Sequence, residues 1–150
     1  MTRAVVSILA AVALVFGAVA CGEDDSNDEF KNQYNAAVRP LNQLGDDVVA
    51  SLTSAGGGSD RELARRLDNY AERAEQTRRR LSELEPPGDT RDQFDDLLAA
   101  LEQSVADLRA VGASAREGDP AEAQEATKDL IESGQRLRSA ESDFRNAVEG

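Results

Sequence analysis

The sequence predicts an all-α protein, an up-down-up-down four-helix bundle that follows an N-terminal leader. Three observations carry this prediction. Apolar residues recur at spacings of three and four along four long stretches. Short runs rich in glycine or proline separate those stretches, so successive helices must run antiparallel. No stretch alternates apolar and polar residues as a half-buried strand does. A three-helix bundle with a loose first segment is the second architecture this pattern allows.

At the N-terminus, Arg3 precedes an uncharged run of 17 residues, Ala4 to Ala20. Cys21, the only cysteine, comes next, and acid follows at once in Glu23, Asp24 and Asp25. A basic start, an apolar stretch and small residues before a cut make a secretory signal. Ala18-Val19-Ala20-Cys21 resembles the lipobox of bacterial lipoproteins, with Ala18 where that family usually has leucine. The resemblance implies that residues 1–20 form a signal peptide, that the Cys21 thiol takes a diacylglycerol, and that the acylated terminus holds the protein on a membrane. Two acyl chains or more bind a bilayer firmly, whereas one binds reversibly. Two other outcomes share these residues. Ala18-Val19-Ala20 also suits ordinary signal peptidase, which gives a secreted chain, and the uncharged run reaches the lower edge of a membrane span, about 17–25 residues.

Residues 21–27 are polar and acidic and read as a short flexible tether. The bundle then occupies 28–150, with helices expected over about 28–54, 59–85, 90–117 and 120–148. The first carries Phe30, Tyr34, Val38, Leu41, Leu44, Val48 and Leu52 on one stripe, and Pro40 is expected to kink or split it. Gly56-Gly57-Gly58 ends it. Ser59 and Glu62 form a capping box for the second, whose seam is Leu63, Leu67, Tyr70, Ala74, Thr77, Leu81 and Leu84. Pro86-Pro87-Gly88 stops that helix. Thr90 and Gln93 read as another capping box, opening a stripe of Phe94, Leu97, Leu98, Leu101, Val105, Leu108 and Val111 that Gly118 closes. Asp119 as cap and Pro120 at the first helical position start the fourth. Its stripe is Ala123, Ala126, Leu130, Ile131, Leu137, Phe144 and Val148, interrupted by Gly134 and Glu141, so this helix is expected to pack most weakly.

The net charge is −12, and loss of the leader with its single Arg3 makes it −13. That charge argues against nucleic-acid binding. The chain has no histidine, which removes the commonest general base and transition-metal ligand. Its acids fall mostly on polar faces, Glu141 and Asp107 being the exceptions. No catalytic residue, metal site or cofactor is therefore expected. The basic run Arg78, Arg79 and Arg80 is the candidate partner-binding feature, able to grip an anionic wall polymer or an acidic envelope protein. Charge balance on a helix surface is the plainer account, since Glu75 to Arg79 and Glu62 to Arg66 are favourable pairs one turn apart.

The acidic tether, the Tyr34-to-Val38 helix, and a helix closing on Leu81, Leu84-Glu85-Pro86-Pro87 are similar to small lipoproteins of high-GC Gram-positive bacteria. That resemblance implies a place on the outer face of the cytoplasmic membrane and no known activity. Expected function is a non-enzymatic interaction or structural module of the cell envelope. The alternative is a carrier or sensor that holds a lipid or small apolar ligand in the bundle core.

Overall fold

Four helices in sequence order form the bundle: α1 (Asp25–Thr53), α2 (Asp60–Ser82), α3 (Arg91–Glu117) and α4 (Pro120–Glu149). The computed structural model describes residues 25–53 and 59–149. The leader, Cys21 and the glycine triplet lie outside them. No strand occurs among the described residues. Contacts join each helix to the next, most extensively α3 to α4 and least α1 to α2. Short connections between helices in contact make neighbours antiparallel, and side-chain bonds tie them, Arg73 on α2 reaching Asp47 on α1 and Arg116 on α3 reaching Asp68 on α2.

Several sequence expectations are corrected. Helix α1 begins at Asp25, inside the stretch expected to be a flexible tether, and runs unbroken through Pro40. The missing donor at Pro40 strands the carbonyl of Ala36, an exposed residue, so water can satisfy it without a break. Helix α2 stops at Ser82, and Leu84 follows in a turn with its N–H bonded to the Leu81 carbonyl at 2.9 Å. Ser59 accepts from the Glu62 N–H at 3.3 Å, but the Glu62 carboxylate turns to Arg66, so only half of the expected box forms. Thr90 makes no cap bond; its hydroxyl donates to the Pro87 carbonyl at 2.9 Å. The α3–α4 hairpin follows the sequence closely. Gly118 adopts φ 71°, which closes α3 with its N–H on the Ser114 carbonyl at 3.0 Å. Asp119 then caps α4 by accepting from the N–H groups of Ala121 and Glu122 at 2.8 and 3.2 Å.

One core runs the length of the bundle. Leu67, Leu81, Leu101, Val105 and Phe144 are its best-buried apolar residues. On α2 the seam turns slightly from expectation: Ala64 and Ala71 are buried while Leu63 and Tyr70 are partly exposed. Alanines there let α3 approach closely, and the backbone of Ala64 lies near Gly112. On α4 the expected Ile131 is 55% exposed, and Ser133 is fully buried instead. The seam follows Ala126, Leu130, Ser133, Leu137, Ala140 and Phe144, and Ile131 stands about 100° round from Leu130. Helix α4 was also expected to pack most weakly. It makes the bundle's most extensive contact, with α3, and α1 is the lightly held helix.

Phe30, Tyr34, Phe94 and Phe144 meet at one end, where α1 and α3 begin and α4 finishes. Phe144 is the hub, 5.1 Å from Phe94, 5.2 Å from Tyr34 and 6.0 Å from Phe30 between ring centroids. Tilted and edge-on rings at such spacings add about 0.5–1.5 kcal/mol per pair beyond area burial.

Candidate functional site

The basic run sits on the second half of α2, and its members behave differently. Arg78 forks onto Glu75 with bonds of 3.0 and 2.9 Å, and Arg79 adds another at 3.1 Å. These guanidinium groups, Arg78 first, hold the Glu75 carboxyl down to about 2. Arg78 is partly buried, and Arg79 and Arg80 are exposed. Two of the three cations are therefore engaged by one carboxylate on their own helix. Consecutive residues diverge by about 100° each, so the run does not present one face.

A second arrangement is visible only in three dimensions. Between α2 and α3 the surface opens into a groove of about 680 Å³. Asp68, Glu72 and Glu75 form one wall, at helical spacings of four and three. Arg109, Ala113 and Arg116 form the other at the same spacings. Gln76 and Arg79 complete the lining. One bidentate pair crosses the groove: Arg116 donates to both Asp68 oxygens at 2.7 Å. Because the helices are antiparallel and tied there, Glu72 lies level with Ala113, and Glu75 level with Arg109, at steps of about 5 Å. No hydrogen bond or ion pair engages Glu72 or Arg109 among the described residues. The lining holds three acids and three arginines, a neutral strip on a strongly acidic protein. Arg109, Arg116 and Asp68 escaped the sequence reading because no local run marks them. The shared spacing on α2 and α3 was the available signal.

Polar groups also lie inside. The Tyr34 ring is buried among the phenylalanines, and its hydroxyl has no hydrogen-bond partner among the described residues. Burial, then the nearby Glu141, push its ionisation well above the usual tyrosine range. Glu141 is raised as well, by burial, with Arg145 one turn on acting against the rise. Asp107 is 7% exposed on α3 and accepts from the Gln103 amide at 2.8 Å. Tyr70 lies nearer the rim and shares a 3.0 Å bond with Ser51. Among the described residues no cluster of three acids is placed to hold a metal ion, and no helix is long and apolar enough to cross a membrane. Cys21 lies outside the described residues.

Comparisons with protein-family models, curated proteins and solved structures give no significant match.

Proposed function

We propose that this chain is an extracytoplasmic lipoprotein, anchored through acyl chains on Cys21 to the outer face of the cytoplasmic membrane, and that its bundle is a non-enzymatic interaction or structural module of the cell envelope. The observation that carries the proposal is the placement of the only cysteine directly after Arg3, an uncharged run and Ala18-Val19-Ala20. Two features of the domain bear on a binding role. Its bundle is packed around side chains at the aromatic end, where four rings touch one another. Its outer surface carries a groove whose charges are left partly unpaired. Nothing about the ring packing favours an apolar ligand in the core, so surface recognition is the better reading.

The Arg78–Arg80 run is a weaker grip for an anionic polymer than its sequence suggests, because Glu75 already engages two of its members. The test is the intact mass of the membrane-extracted protein from a bacterial host, before and after Cys21→Ser. A mass for residues 21–150 plus a diacylglycerol, lost in the variant, is expected. An unmodified mass, or the full chain, would overturn the anchor.

A further inference from the structure

The groove between α2 and α3 is self-complementary, and we infer that a second copy of this chain docks there, side by side and pointing the same way. A twofold axis parallel to the helices and lying over the groove turns each acidic α2 wall onto the basic α3 wall of the other copy. Contacts made once then occur twice, as in any isologous interface. Glu72 of one copy comes level with Ala113 of the second, flanked by that copy's Arg109 and Arg116. Glu75 comes level with the second copy's Arg109.

Three properties favour this occupant. Each chain carries a net −12, or −13 without the leader, so two copies repel over most of their surfaces, and the groove with balanced charges is where that repulsion is least. Glu72 and Arg109 make no pair within their own chain, so docking breaks no existing bond at either. The rotation that matches acid to base keeps the bundles parallel, as two chains held in one bilayer must be. A pure polyanion or polycation would meet like charge on one wall or the other, which selects against both.

Exposed ion pairs contribute only about 0.2–1 kcal/mol each. The dimer is therefore weak in free solution and depends on confinement of the copies at a surface, where effective concentrations reach roughly the millimolar range. In this respect, and in the parallel orientation of two chains held in one bilayer, the inference rests on the membrane-anchor reading.

The experiment uses the full chain in bacterial membranes, with Ala113→Cys placed in the groove and Gln124→Cys on the outer face of α4 as control. Oxidative cross-linking is read as a band whose mass is twice that of the monomer. The Ala113→Cys protein is expected to give that band and the Gln124→Cys protein is not. Adding Arg109→Glu or Glu72→Arg should cut the yield at least fivefold, and adding both should restore most of it, with circular dichroism unchanged throughout. Equal bands from both cysteine positions, indifference to the charge changes, or a band containing a different protein would overturn the self-docking. Cross-linking of the wild-type chain itself would report a free Cys21 thiol. That result would sink the anchor, and the charge-swap series would then be read with Cys21→Ser in place on protein concentrated to roughly the millimolar range, which the dimer needs without a surface.

Discussion

Helix α4 is held on its two sides by opposite means. Against α3 its backbone lies close over the bundle's most extensive contact, and each of the two helices carries a buried serine, Ser104 on α3 and Ser133 on α4. The buried hydroxyls of Ser104 and Ser133 bond to carbonyls of their own helices, at 3.1 and 3.2 Å, so neither leaves a polar group stranded between them. Toward α1 the contact is sparse and is made by rings at one end: Phe144 against Phe30 and Tyr34. A Cβ added at Gly45 on α1 or at Gly134 on α4 would meet nothing within 4 Å. Small side chains set a close, continuous contact, whereas large ones bridge a wider gap at a single point.

The comparison is broken most severely at the hub. Phe144→Ala removes a side chain 1% exposed that touches three rings, and should cost about 3–5 kcal/mol. The loss is expected in thermal unfolding, and hydrogen exchange should show α1 amides opening first. Exchange that remains uniform across all four helices would mean α1 is not the lightly held element.

Next comes the close side. Ser133→Leu forces a larger group into a position with no exposure and should cost about 1–3 kcal/mol by overpacking, read from the urea midpoint. If the leucine is tolerated, α3 and α4 are not as close as their contact implies.

Gly134→Ala should do the reverse. The added methyl enters open space, and a helix-interior glycine costs about 1 kcal/mol relative to alanine, so the melting temperature should rise. Gly112→Ala is the sharpening control: its Cβ would stand 3.2 Å from an Asp68 carboxylate oxygen, so that gain should shrink or vanish.

The smallest expected effect is pH-dependent. Burial raises the folded-state ionisation of Glu141, so its carboxyl costs stability as pH rises through that raised value and costs nothing when protonated in both states. Glu141→Gln should therefore raise the melting temperature near neutral pH and leave it unchanged in acid, below about pH 4. A rise of equal size at both pH values would point to packing in place of charge.

Much of the fold was legible in the sequence because its signals are local. Periodicity gave the four stripes, and Ser59, Gly118, Asp119 and Pro120 behave as their chemistry dictates at helix ends. The errors have physical causes too. Thr90 found a carbonyl in its own turn and left its cap unmade. The stripe read from the sequence includes Ile131 beside Leu130, although buried Ser133 continues the spacing better. Hydrophobicity alone favours isoleucine, whereas the serine is fully buried with its hydroxyl satisfied by the Leu130 carbonyl at 3.2 Å. The basic run was visible, whereas the groove pairing Asp68 with Arg116 was not, since its walls come from different helices.

By itself the sequence determined the helical class, the four segments, the strongly acidic character and a single thiol at the foot of an apolar run. Each follows from neighbours along the chain. Which helix is loosely held, where the rings converge and which charges remain unpaired were decided by tertiary structure alone. These depend on distances between residues far apart in sequence, and those distances are set by the size of the side chains lodged between the helices.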